Sequence, residues 1–147
     1  MSGTEKKPGD VYLPAWFLGC DAALDVTVIT PIQDDIIVRA SQKGGVAADI
    51  AHKRKLAKYY NDCKSVAVEF LPLAVETWGG WHTEALSTLK TLSKQLARQQ
   101  GKDENETQRH TFQRLSILLQ KGNVSLLTAR VPDFCCPEVD GDLDLDI

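Results

Sequence analysis

The sequence lacks the short signatures of most small-molecule enzymes. It has no glycine-rich phosphate loop, no nucleophile elbow and no closely spaced Cys/His pair. Its four cysteines include a vicinal pair, Cys135-Cys136, but no CxxC spacing, which argues against a structural zinc site. We therefore expect reduced and mostly buried thiols, as in an intracellular protein.

Long apolar runs are also absent. None approaches the roughly 20 residues needed to span a bilayer. The first nine residues are polar and contain no apolar signal-peptide region. The sequence thus predicts an intracellular protein that has no membrane partner.

Basic residues are absent from the last part of the chain, and this changes the meaning of the net charge. The 147 residues carry a formal net charge of -3, but no Lys or Arg follows Arg130, whereas six acidic residues do. Residues 1–130 hold 17 basic against 14 acidic groups, a net charge of +3. We predict a flexible lead at 1–9, one domain at 10–130 and an acidic, disordered tail at 131–147.

Hydrophobic patterning predicts an α/β domain. Residues 11–13 form a short apolar run before Pro14, and the β-branched run 22–29 is typical of a strand covered on both faces. A helix is expected at 44–61, a strand at 66–76 and an amphipathic helix at 81–100 that ends at Gly101. Two further helices, at 107–120 and 124–130, are expected on either side of Gly122-Asn123. This order favours a small mixed central sheet flanked by helices.

Asp25 is the sharpest chemical feature, because it lies within an apolar strand. A buried carboxylate needs a partner, a metal ion or a position at the sheet edge. If the first two strands form a hairpin, Asp10 converges on Asp25. Two carboxylates make an oxygen-rich site that suits Mg²⁺ or Mn²⁺. The alternatives are that Asp25 is a solvated strand end and that Asp10 is a turn residue.

A basic helix accompanies these carboxylates. Residues 39–64 have a net charge of +5, with seven basic side chains against two acidic ones. Lys55 and Lys58 lie on neighbouring turns of one helix face, close to Tyr59. A positive surface beside a carboxylate pair is what phosphodiester cleavage requires, although most such faces are simply solvated. Glu76, at the end of the third strand, is either a further metal ligand or a turn residue.

Four segments together carry a family resemblance. They are KPGDV at 7–11, LDVTV at 24–28, KLAKY at 55–59 and PLAVETWGGW at 72–81. In this order they resemble the restriction-enzyme-like endonuclease domain of non-LTR retrotransposons, within the PD-(D/E)XK nuclease superfamily. Two positions depart from the superfamily pattern. Thr27 stands where the usual lysine follows the second acid, and Gly9 separates the motif's proline from Asp10.

The resemblance implies a restriction-endonuclease-like fold and a Mg²⁺- or Mn²⁺-dependent endonuclease that nicks DNA for target-primed reverse transcription. It makes Asp10, Asp25 and Lys55 catalytic, with Lys55 in the role of the missing lysine. Its further implications are a reverse transcriptase domain in the same polyprotein and a nuclear location. The alternative is a catalytically inactive nuclease-like module that binds nucleic acid or protein. The full sets of expected residues are Asp10, Asp25 and Glu76 for the metal, and Lys53, Arg54, Lys58 and Tyr59 for nucleic acid.

Overall fold

The chain begins its fold with a β-hairpin. The computed structural model describes residues 9–130; strand β1 (Val11–Phe17) pairs antiparallel with β2 (Cys20–Ile29). The connecting residues Leu18 and Gly19 have φ of 48° and 82°, as a tight hairpin turn with a primed geometry requires. The hairpin that the convergence of Asp10 and Asp25 required is therefore present. The expected end of the first strand at Pro14 is wrong, because β1 runs past it through an irregular register between Leu13 and Phe17.

A crossover then adds a parallel strand. Helices α1 (Ile37–Gln42) and α2 (Val46–Ser65) lead to β3 (Val68–Glu76), which pairs with β2 in a register that sets Asp25 opposite Pro72. The sheet order over residues 9–130 is β1-β2-β3, with one antiparallel and one parallel pair. The prediction of a small mixed sheet flanked by helices is confirmed.

Two long helices complete the described part of the chain. Helix α3 (Thr83–Gln100) ends at Gly101 in the left-handed conformation, with φ of 65°, as predicted. Helix α4 (Glu104–Arg130) is continuous, so the expected break at Gly122-Asn123 is wrong. A single glycine costs a helix only about 1 kcal/mol. Asn123 Nδ2 donates a 2.7 Å hydrogen bond to the Thr77 carbonyl and ties the helix to the end of β3.

The core forms on both faces of the sheet. Because side chains alternate along a strand, Ala23 faces α2 whereas Leu24 faces α3. The expectation that 22–29 is covered on both faces is correct only for its first half, since Val26 and Val28 are 47% and 50% exposed. The buried residues of the α2 face include Ala23, Ala48, Ala51, Cys63, Phe70 and Ala74, and those of the α3 face include Leu24, Leu73, Ala85 and Leu89.

Two expectations about the chain ends fall beyond this description. Apart from Gly9, the predicted lead at 1–9 and the acidic tail at 131–147 lie outside the described residues. Within 9–130, no helix is both long and apolar enough to cross a membrane.

Candidate active site

A carboxylate and an ammonium group meet where α2 packs on the sheet. Asp25 is buried in the middle of β2, and its Oδ2 lies 2.7 Å from Lys55 Nζ. The Asp25 and Lys55 side chains are 12% and 29% exposed, so solvent reaches the pair from one side only. Asp25 breaks the apolar pattern of its strand, and Lys55 breaks that of the facing helix. Each is tolerated because the other compensates its charge.

Thr27 completes the surroundings of this carboxylate. Its Oγ1 lies 3.2 Å from Asp25 Oδ2 and donates a hydrogen bond to it. Thr27 lies two residues after Asp25, and the Lys55 ammonium reaches the same oxygen from α2. Asp25 Oδ1 has no hydrogen-bond or ion-pair partner within the described chain, which leaves it available to a ligand.

Lys58 and Tyr59 adjoin the pair along α2. Lys55 Nζ lies 5.7 Å from the centre of the Tyr59 ring, and Lys58 Nζ lies 4.7 Å from it. The interaction with the Tyr59 side chain raises the pKa of Lys58, and the negative charge of Asp25 adds to this effect. Two cations and an aromatic ring therefore lie near the carboxylate.

Asp10 is held beside Asp25 by the main chain of β2. Its amide donates a 2.7 Å hydrogen bond to the Leu24 carbonyl, and its Oδ2 accepts a 2.9 Å bond from the Val26 amide. The carboxylate thus contacts the backbone next to Asp25, while Asp10 Oδ1 has no partner among residues 9–130.

Gly9 makes this approach possible. A Cβ on Gly9 would lie only 2.7 Å from the Leu24 carbonyl oxygen, a distance that real Cβ atoms do not adopt. Gly9 therefore lets the chain approach β2 closely, and the next residue, Asp10, forms its bonds to β2 there.

Glu76 does not join these groups. It lies four register positions beyond Pro72, the partner of Asp25, which corresponds to about 13 Å along the strand. Its buried carboxylate accepts a 2.9 Å hydrogen bond from the Ala47 amide in the first turn of α2. Acceptors are needed there because the first amides of a helix have no partner within it. The observed contact of Glu76 is therefore that of a helix cap.

Lys53 and Arg54 lie on the outer surface of α2. Successive helical residues are turned by about 100°, so Lys53 projects from the side opposite Lys55. Arg54 is exposed and lies 3.8 Å from Asp35. Of the residues expected to bind nucleic acid, Lys58 and Tyr59 therefore adjoin the Asp25–Lys55 pair, whereas Lys53 and Arg54 do not.

A second polar cluster was not anticipated from the sequence. The rings of His52 and His82 stack with centres 3.7 Å apart. His82 Nδ1 accepts a 3.3 Å hydrogen bond from the Glu84 amide and so caps α3. His52 is 3% exposed; its Nε2 lies 3.2 Å from Glu84 Oε2, but neither ring nitrogen has an aligned hydrogen bond within the described chain. Asp49 Oδ1 lies 3.6 Å from His82 Nε2.

The environment of this cluster disfavours a cation on His82. Burial and, after it, the neighbouring His52 lower the pKa of His82, against smaller opposing effects of Asp49 and Glu84. The two histidines are 30 residues apart in the chain, so no local spacing signals their contact.

Neither a cluster of metal-ligating side chains in the described residues nor a known relative identifies the site. Among residues 9–130 there is no group of three or more His, Cys, Asp or Glu side chains arranged to hold a metal ion. In comparisons with known proteins, no family model, curated protein or solved structure matches the chain.

Proposed function

We propose that this chain is a metal-dependent endonuclease domain that nicks DNA, with a restriction-endonuclease-like arrangement of the PD-(D/E)XK type. The observation that carries the proposal is the ion pair between Asp25 and Lys55 at the centre of the interface between β2 and α2. The resemblance to retrotransposon endonuclease domains extends the proposal to target-primed reverse transcription, to a reverse transcriptase domain in the parent polyprotein and to a nuclear location.

Stability alone is a poor explanation for this pair. Desolvating two charges is costly, and well-packed apolar residues in place of a buried pair are often as stable or more so. Lys55 lies on the side of α2 that faces the sheet. This position is better explained by a chemical role for the lysine than by a structural one.

The residues present fit a hard divalent ion. Mg²⁺ commonly binds through one or two carboxylates and keeps several water molecules and substrate phosphate oxygens as its other ligands. Asp25 Oδ1 and Asp10 Oδ1 are the carboxylate oxygens without protein partners at this site. When bound, Mg²⁺ or Mn²⁺ would polarise a phosphodiester and lower the pKa of a water molecule.

The chain's own residues have separate tasks in this proposal. Lys55 presents its ammonium to the scissile phosphate, where negative charge develops during cleavage. Lys58 neutralises a neighbouring phosphate, and Tyr59 holds both lysine side chains against its ring. The hydrogen bond from the Val26 amide fixes the orientation of Asp10.

The second candidate is a nuclease-like module that binds nucleic acid without cutting it. One observation favours it. Asp25 Oδ2 already forms an ion pair with Lys55 and accepts a hydrogen bond from Thr27, which lowers the capacity of this oxygen to bind a cation. This module would retain salt-sensitive DNA binding, because bound phosphates release counterions.

The test is nicking of supercoiled plasmid in MgCl₂ and in MnCl₂. We expect the wild type to produce open circles and Asp25→Asn to be slower by about 100-fold or more. Asp34→Asn is the matched control, since it removes the same charge from an exposed position. Folded wild-type protein that nicks with neither ion would refute the endonuclease, and salt-sensitive binding in that sample would identify the binding module.

A further inference from the structure

An open cavity lies beside the candidate active site. It has a volume of about 620 Å³ and is bounded by the β-hairpin turn, the C-terminal half of α2 and the start of β3. Leu56 and Phe70 line its apolar wall, and Phe17, Tyr60 and Lys64 also line it. Leu56 directly follows Lys55 in α2, so the cavity and the Asp25–Lys55 pair share this helix.

The cavity is bordered by apolar side chains that the core does not use. Phe17 and Tyr60 are 63% and 50% exposed, and Leu18 at the hairpin turn is 89% exposed. Single exposed apolar residues are ordinary, but several around one concavity mark a binding surface. Two of the three are aromatic and offer ring faces to a ligand.

Charge narrows the class of ligand. Lys64 Nζ lies 5.5 Å from the centre of the Tyr60 ring, so a cation and an aromatic ring stand together at the cavity. Among the described residues that line the cavity, Lys64 is the one cation. Glu69 and Glu84 also line the cavity and disfavour phosphate beside them. A phosphate is therefore favoured near Lys64, with the apolar part of the ligand against the rings.

We propose that this cavity binds an unpaired nucleobase of a single-stranded segment, an inference that rests on the proposed endonuclease function and specifies its substrate. Aromatic side chains stack on bases of any identity, and a lysine neutralises the adjoining phosphate. A base within a duplex has both faces covered by its neighbours, so only an unpaired base can stack here. The distance from Cys20, which lines the cavity, to Asp25 is about 16 Å along β2. The substrate is thus DNA with an unpaired stretch beside the cleaved bond.

The test measures binding in EDTA, so that cleavage plays no part. A fluorescein-labelled oligothymidylate and a blunt-ended, loop-free duplex of equal charge are titrated with protein, and anisotropy gives each Kd. We expect tighter binding of the single strand. Tyr60→Leu and Phe17→Leu keep apolar bulk but remove the ring faces, and each should raise the single-strand Kd roughly 10-fold.

Controls separate stacking from folding and from catalysis. Tyr60→Phe keeps the ring and should bind like the wild type, and so should Trp78→Leu, which removes a 69% exposed aromatic outside the cavity. Binding is measured in EDTA and nicking in MgCl₂ or MnCl₂, so a failure of nicking and a failure of this inference are distinct results. The inference is overturned if both leucine variants bind the single strand like the wild type, if the duplex binds equally well, or if Phe17 proves to be buried in a dimer.

Discussion

Replacing the Asp25–Lys55 pair by apolar residues separates its chemical role from a structural one. Lys55→Met alone leaves a nearly buried carboxylate without its cation. Breaking a fully buried pair costs about 3–5 kcal/mol, and an exposed pair contributes about 0.2–1 kcal/mol. With side-chain exposures of 12% and 29%, this pair lies between these limits. We therefore expect a loss of about 2 kcal/mol, which lowers Tm by about 8 °C for a domain of this size.

The double variant Asp25→Leu/Lys55→Met should behave differently. It leaves neither charge unpaired, so we expect its free energy of unfolding to lie within about 1 kcal/mol of the wild type. Urea unfolding at pH 7, followed by circular dichroism, measures the double variant and its two singles, Asp25→Leu and Lys55→Met, and plasmid nicking measures their activity. The expected combination is restored stability without nicking. A double variant that is as unstable as the sum of its singles, or one that still nicks, would refute the reasoning.

Two further changes test the surroundings of the site. Because burial lowers the pKa of His82 below the ordinary histidine value of 6.5, the unfolded chain binds a proton more readily than the folded one. The contribution of neutral His82 to stability should therefore be fully present above about pH 6.5 and decrease as the pH falls. His82→Asn, which keeps an acceptor for the Glu84 amide, should flatten this dependence in thermal melts from pH 7.5 to 5. An unchanged slope would contradict this prediction. Gly9→Ala should slow nicking at least tenfold with little change in Tm. The alanine Cβ must move away from the Leu24 carbonyl oxygen, and this movement displaces Asp10. Wild-type nicking rates in this variant would show that Asp10 is dispensable.

Much of the fold was predictable because local patterns and tertiary packing agree. The β-branched run of β2 and the apolar spacing of α2 each point to the element that forms. The break expected at Gly122-Asn123 was wrong because a tertiary contact, Asn123 with Thr77, supports the helix there. A local pattern contains no information about such a contact.

The candidate site was predictable to the extent that its members violate their local pattern. Asp25 is conspicuous in an apolar strand. Lys55 belongs to a basic helix face, and the family resemblance, not a local pattern, set it beside Asp25. Glu76 is an equally conspicuous carboxylate, but only the register of β3 shows that it lies beside the start of α2. The stacking of His52 on His82 had no local signal, because it depends on how α2 and the start of α3 pack together.

The prolines of the sheet have a consequence for self-association. β1 and β3 are the outer strands, and each contains a proline in its interior, Pro14 and Pro72. Proline cannot donate a ladder hydrogen bond, and in β1 it lies beside Ala15, whose φ of 51° distorts the strand. An incoming strand from another molecule would therefore find an irregular template on β1 and a proline on β3. These edges disfavour edge-to-edge aggregation of a small, open sheet.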